Sequence, residues 1–511
     1  YDGLTLGAAQ TATVRIDADP DADDGSSGSS GSSGSDTSIT LASADYEFVG
    51  EGSSDYSGFT VANAGDVDGD GLDDILVGAY GNDDGGSTYG KTYLFYGKTL
   101  GDRTRINLAR ADYSFVGRTY GQAGYSVASA GDVDGDGKSD ILIGARYDSS
   151  VNSDGGAVYL ILSSSLLPGD GPDGRVEHTM SLANADYQFT STRTNRLIGR
   201  TVASAGDIDG DNLADIMFGS YHRSSSYHTN NRGEVYIFRA ASLAEPTESR
   251  IEIPVTNADY ILTGEANNDQ LGRAMANAGD IDDDGLDDVI IGAYGDDEAG
   301  SAAGMTYIML GSDFGDTQRI PLTEVSYRIA GAYGSDQSGY SVSGGGDIDG
   351  DGLSDVLIGA NRNPDGGMYA GAVYVLFGST FGDEQELDLY IDADYQLIGE
   401  NDYDEVGQSV ANAGDVDGDG LDDIVIGSTN LKNSSDTTVG GIYVFLAKDL
   451  GDVVPINLAE ADQKILGEES SDYAGHAVSG GGDVNGDGYD DILVGAHYAE
   501  SGGMTYLLFG E

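Results

Sequence analysis

Short apolar runs recur down the chain at a near-constant spacing, and each is entered from a run of alternating aspartates. In the first, Asp66-Val-Asp-Gly-Asp-Gly-Leu-Asp-Asp74 leads directly into Ile75-Leu-Val-Gly-Ala79. The apolar run has no polar face. That pattern predicts a strand covered on both sides rather than a half-exposed strand. Copies of the aspartate run begin at Asp132, Asp207, Asp280, Asp347, Asp415 and Asp483, so successive starts lie 66, 75, 73, 67, 68 and 68 residues apart. The period defines seven copies of one unit, none of which can bury its apolar faces alone.

Each unit reads as four strands. In the first, these are expected near 59–64, at 74–78, near 92–96 and near 105–116. Strand one is rich in small residues, as in Val61-Ala-Asn-Ala-Gly65 and Val342-Ser-Gly-Gly-Gly346. Small side chains fit the crowded centre of a radial array. The segment 38–50 matches 105–117, 251–264 and 387–399, so a unit-ending segment stands before the first unit begins. The chain stops at Met504-Thr-Tyr-Leu-Leu-Phe-Gly510, one segment short of a full unit. The economical solution is an all-β, seven-bladed β-propeller of four-stranded blades over 37–511. Its ring is closed by the N-terminal strand completing the last blade, which leaves few free sheet edges.

Two segments precede the ring. Residues 1–19 contain one strand-like run, Thr11-Ala-Thr-Val-Arg-Ile16, then Asp17-Ala-Asp-Pro20. This resembles the last strand of a Calx-beta sandwich domain, and is read as the remnant of a preceding domain or a tail. Residues 20–36 hold Gly-Ser-Ser repeats and read as a flexible linker.

Composition narrows the partners. The formal charge is -64, and the 511 residues include no cysteine. Such a chain repels nucleic acid and anionic membrane surfaces. It has no disulfide framework, so bound divalent cations are the natural staple and counter-charge. No window approaches eighteen consecutive apolar residues, so no membrane insertion is expected. Without a starting Met or a signal-peptide pattern, the chain reads as a mature fragment of a longer, extracellular or cell-surface protein.

The aspartate runs carry the clearest chemistry. Each offers carboxylates at positions 1, 3, 5 and 9 and a backbone carbonyl at position 7. The expected ligand sets are Asp66, Asp68, Asp70, Leu72 and Asp74; Asp132, Asp134, Asp136, Lys138 and Asp140; and Asp207, Asp209, Asp211, Leu213 and Asp215. The next two are Asp280, Asp282, Asp284, Leu286 and Asp288; and Asp347, Asp349, Asp351, Leu353 and Asp355. The last two are Asp415, Asp417, Asp419, Leu421 and Asp423; and Asp483, Asn485, Asp487, Tyr489 and Asp491. Numerous hard oxygens on a flexible loop favour Ca2+ over Mg2+, so about seven Ca2+ ions are expected, one per blade. An EF-hand needs Glu at position 12 and flanking helices; position 12 of the first loop is Val77, inside a strand. A plain hairpin turn needs one Asp-Gly pair, not four phased carboxylates repeated seven times. Asn212 and Asp283 replace loop glycines and Asn485 replaces a ligand aspartate, so the third and seventh sites are expected to be weakest.

The repeats resemble FG-GAP repeats, the units of the integrin α-subunit head and its bacterial relatives. The first half of the signature stands as Gly58-Phe-Thr-Val61, Gly124-Tyr-Ser-Val127, Gly339-Tyr-Ser-Val342 and Gly407-Gln-Ser-Val410. The second stands as Gly78-Ala79, Gly144-Ala145, Gly292-Ala293, Gly359-Ala360 and Gly495-Ala496. The resemblance implies a propeller with calcium loops in some blades; here all seven carry one. It also implies that the ligand face lies opposite the metal loops.

On that face, arginines gather in blades two to four without lysine. Arg146, Arg193, Arg196, Arg223 and Arg232, with Tyr221 and Tyr227, form the expected ligand-binding set. Arginine with aromatics suits carboxylates or sugars; the bland reading is that these arginines pair with local Asp and Glu. The five histidines come with no nucleophile and orienter, so no catalytic residue is assigned. The expected function is a calcium-stabilised adhesion module of a bacterial or archaeal surface or secreted protein. It would bind a glycan or protein on a host or neighbouring cell, beside flanking domains of the same chain. A polysaccharide-lyase-like enzyme and a structural spacer are the alternatives.

Overall fold

The computed structural model describes residues 39–118, 120–168, 177–221, 231–244, 250–382, 384–451 and 454–511. The N-terminal remnant, the Gly/Ser linker, Arg223 and Tyr227 lie outside the described residues. Seven sheets of five strands each make up the molecule. In blade one, the strands Thr60–Gly65, Asp74–Ala79, Lys91–Phe95 and Tyr113–Val116 run antiparallel from the axis outwards. The fold is a seven-bladed β-propeller.

The second strand explains the core. Every residue of Asp74–Ala79 is buried. Leu76 faces blade two, where it joins Ile141, Ile143 and Tyr159. Ile75 and Val77 face blade seven, where they join Phe48, Leu493 and Leu507. Alternate side chains therefore serve two different cores, and this is why the run has no polar face. Seven such clusters fill the seven blade boundaries.

The signature glycines sit where neighbouring blades touch. A Cβ on Gly78 would lie 2.3 Å from the carbonyl oxygen of Gly124, and one on Gly495 would lie 2.1 Å from that of Gly58. The second half of each signature thus meets the first half of the next blade's, and only glycine permits so close an approach of two backbones.

One expectation needs correction. The blades have five strands, because the segment predicted as a single strand over 105–116 breaks in two. Arg105–Asn107 pairs parallel to Tyr46–Val49 as the outermost strand of blade seven. Tyr113–Val116 belongs to blade one. Between them a 3-10 turn, Leu108–Arg110, drops Leu108 fully buried into the core between those blades. Asp112 fixes the corner: its Oδ2 accepts the Tyr96 N–H at 3.0 Å and the Thr99 hydroxyl at 2.6 Å. Each unit therefore straps its outer strand onto the preceding blade; His178–Ser181 does the same for blade one.

The N-terminal strand closes the ring. Tyr46–Val49 runs antiparallel to Met504–Leu508, with Tyr46 opposite Leu507 and Val49 opposite Met504. Ile39–Thr40 pairs with Ile465 and Leu466 of blade six.

Candidate functional site

The loops between strands one and two define one end of the axis. In the first loop, Asp66 Oδ1 accepts the N–H groups of Gly69 at 2.6 Å and Asp70 at 3.0 Å, and its Oδ2 accepts that of Gly71 at 2.8 Å. Asp68 Oδ1 accepts the Asp70 N–H at 3.2 Å, and Asp70 Oδ1 accepts that of Leu72 at 3.0 Å. These bonds curl the loop until its carboxylates converge. Ligand oxygens of Asp66, Asp68 and Asp70 lie within 4.8 Å of one another, as do those of Asp132, Asp134 and Asp136, of Asp207, Asp209 and Asp211, and of Asp347, Asp349 and Asp351. In the fourth blade the gathered triplet is Asp280, Asp282 and Asp288. The donor chemistry fits a hard dication.

Position 9 also braces the loop. Asp74 is fully buried; its Oδ2 accepts the Val67 N–H at 2.9 Å and its Oδ1 that of Gly97 at 3.0 Å. The bracket recurs at Asp140, Asp215, Asp288, Asp355, Asp423 and Asp491. Burial pushes the Asp74 carboxyl up to about 9 and Asp491 up to about 8, and the charges of the other loop aspartates add to the rise. A cation placed among these carboxylates would reverse that cost. Position-7 side chains interlock the loops: Leu72 packs over Gly486, and Lys138 Nζ donates to the Asp68 carbonyl at 2.8 Å.

The opposite end of the axis opens into a cavity of about 800 Å³. Its lining follows the repeat register. The residue after the first signature glycine supplies Phe59, Tyr125, Arg200, Arg273 and Tyr340, with Gln408 and His476 completing the circle. Two residues after the second signature glycine come Tyr80, Arg146, Tyr221, Tyr294 and Asn361. Arg362 joins them, and among the described residues Glu405 is the one carboxylate in the lining.

Guanidiniums and rings interleave here. The Arg146 Cζ lies 3.6 Å from the Tyr125 ring centre, Arg200 4.3 Å from Tyr221 and Arg273 4.2 Å from Tyr340. Arg146 Nε donates to Gln122 Oε1 at 2.7 Å. Arg200 Nη1 donates to the Tyr221 carbonyl at 3.4 Å, while its buried Nε finds no partner among the described residues. At the cavity edge the His476 and His497 rings sit 4.3 Å apart. Burial pulls His476 down to about 4, helped by Arg273, and His497 down to about 2, helped by His476. Both imidazoles are neutral at pH 7.

Of the ligand-binding set expected from sequence, Arg146 and Tyr221 line this cavity. Arg193 and Arg232 are exposed outside it. Arg196 Nη1 donates to Glu234 Oε2 at 2.9 Å, the local pairing that was its bland alternative. Arg200, Arg273 and Arg362 were left out of that set. Their positions in the repeat, beside or near the signature glycines, are the signal that identifies them.

A model of the FG-GAP repeat matches residues 57–95, 123–161, 338–376, 406–445 and 474–508. These cover the inner strands of blades one, two, five, six and seven; blades three and four share the same topology. Among curated relatives, Integrin alpha-PS2 of Drosophila melanogaster is 29% identical over 39% of the chain, and Integrin alpha-5 of Xenopus laevis is 33% identical over 33% of it. Integrin alpha pat-2 of Caenorhabditis briggsae is 27% identical over 52%. The matched stretches span only 13%, 16% and 20% of those relatives' own lengths. Among the described residues no helix is long and apolar enough to cross a membrane.

Proposed function

Because this chain is an integrin-α-like propeller of FG-GAP repeats, we propose that it is a calcium-stabilised adhesion module of an extracellular or cell-surface protein of a bacterium or archaeon. The ligand, a protein or glycan of another cell or matrix, enters the axial cavity opposite the metal loops. The carrying observation is that cavity: four arginines and a cluster of tyrosines line it in a chain of charge -64.

The loops would hold one Ca2+ each, on the aspartates at positions 1, 3, 5 and 9 and the position-7 carbonyl. Arg239 Nη1 reaches Asp209 Oδ2 at 3.4 Å in the third loop, Lys98 Nζ reaches Asp70 Oδ2 at 3.4 Å in the first, and Lys448 pairs with Asp417 in the sixth. These cations compete with the ion, which supports a weak third site and adds the first and the sixth. A binding role suits the site better than catalysis. The buried Nδ1 of His497 has no hydrogen-bond partner among the described residues, and the chain has no cysteine.

The test is a glycan and extracellular-protein array probed with the calcium-loaded chain. Retention of a ligand without product supports adhesion. Release of unsaturated sugar ends would make the protein a lyase, and an array that stays blank would leave a spacer.

A further inference from the structure

The cavity's chemistry narrows the ligand. Arg146, Arg200, Arg273 and Arg362 come from blades two, three, four and five, one guanidinium per blade along a continuous arc. Against Glu405 they give the described residues of the lining a net charge of +3. Among the described residues none of the four makes an ion pair, whereas Lys91, Arg105, Arg196 and Arg328 elsewhere all do. In so acidic a chain, unneutralised arginines converging on one cavity are the exception that needs an occupant. Beyond about 8 Å the distant aspartates are screened at physiological salt, so a group inside the cavity feels the arginines first.

The tyrosines set the guanidiniums rather than offering stacking faces. Phe59 packs against Tyr80, Tyr125 and His476, with ring centres 4.6, 4.9 and 4.7 Å away, and Tyr294 packs edge-on to Tyr340 at 5.4 Å. Tyr125, Tyr221 and Tyr340 each carry a guanidinium. A pyranose would find these rings already partnered, while the guanidiniums they carry keep their charge without an ion pair among the described residues. Forked donors at successive blades match successive planar carboxylates on a flexible chain. The other end of the axis is lined by Asp422 and Asp490, so such a chain would be repelled there.

We propose that the axial cavity binds an acidic peptide segment of a protein ligand, its Asp or Glu carboxylates received by Arg146, Arg200, Arg273 and Arg362. This rests on the adhesion reading above and names the chemistry of its ligand. The test is fluorescence polarisation of labelled hexaglutamate and hexaglutamine peptides with the calcium-saturated full chain, with oligogalacturonate and inorganic phosphate as competitors. Hexaglutamate should bind and hexaglutamine should not. Arg200→Gln and Arg273→Gln should each weaken binding at least about tenfold, at unchanged melting temperature. Arg362 is exposed, so Arg362→Gln provides the same readout if a more buried variant misfolds. Equal binding of the two peptides, or full binding by Arg200→Gln and Arg362→Gln, overturns the proposal. Preferential displacement by oligogalacturonate overturns it in favour of an acidic glycan, and displacement by phosphate at equal strength reduces the site to a small-anion trap. Array ligands bound equally by wild type and Arg200→Gln would sink this inference and leave the adhesion reading standing.

Discussion

The backbone N–H of Asp483 donates to Oδ2 of Asp73 at 3.1 Å, and the N–H of Asp73 donates back to the Asp483 carbonyl at 3.2 Å. Two residues 410 apart in sequence thus latch the first aspartate loop to the seventh. The same carboxylate latch joins Asp287 to Asp207, Asp422 to Asp347 and Asp490 to Asp415. At the remaining boundaries Ser139, Ala214 and Ser354 keep only the backbone bond. Asp73→Ala leaves the Asp483 N–H without its side-chain acceptor and should cost about 1–3 kcal/mol. Asp73→Asn retains an acceptor and should lose much less. Urea midpoints at saturating calcium decide this; an alanine variant that unfolds at the wild-type midpoint would remove the latch from the account.

Repetition made much of this legible. Seven phased aspartate runs locate the acidic loops between strands one and two, and two glycine signatures locate the blade contacts, because both are local and recur. The fifth strand was not legible. Nothing in Arg105-to-Val116 marks the turn at Leu108 until the core that receives Leu108 is known. The cavity was half legible. Membership of a loop favoured Arg193, Arg196 and Arg232, which point elsewhere. Register favoured Arg200 and Arg273, because residues beside the signature glycine inherit the glycine's closeness to the axis.

Calcium should set the stability of the whole ring. Each extracellular-type site contributes about 1.4–2.7 kcal/mol when the ion stands at ten to a hundred times its Kd, and the loops are hydrogen-bonded to one another around the axis. Chelation should therefore lower the melting temperature by far more than Asp66→Ala does alone. Metal analysis after dialysis against millimolar calcium should find about seven ions. A chain that melts unchanged in chelator would refute the staple.

Phe48 tests ring closure. It is fully buried, lies 4.8 Å from Phe95 between ring centres, and belongs to the strand that completes blade seven. Phe48→Ala should cost about 3–5 kcal/mol. Deleting residues 39–50 bares the edge of Met504–Leu508 and should abolish cooperative unfolding and promote aggregation. A synthetic peptide of residues 39–50 should restore a sharp transition. A monomeric deletion variant that still melts cooperatively would show that the ring does not depend on this strand.

Asp336 predicts how stability varies with pH, away from the metal loops. Its carboxyl is fully buried, and Asn363 Nδ2 donates to its Oδ2 at 3.4 Å while its Oδ1 has no partner among the described residues. Burial, with the Asp365 charge behind it, pushes the carboxyl from the usual 3.8 up to about 7. Between those values the folded chain holds a proton that the unfolded chain has released. Stability from this group is therefore full at low pH and is lost as pH rises through about 7. The interval corresponds to at most about 4 kcal/mol. Asp336→Asn cannot titrate, so it should unfold at nearly the same urea concentration at pH 5 and pH 8, measured at saturating calcium, apart from the slope contributed by other groups. Wild type should lose more over that range than the variant does. Parallel pH slopes for the two proteins would mean that the Asp336 carboxyl is ionised throughout.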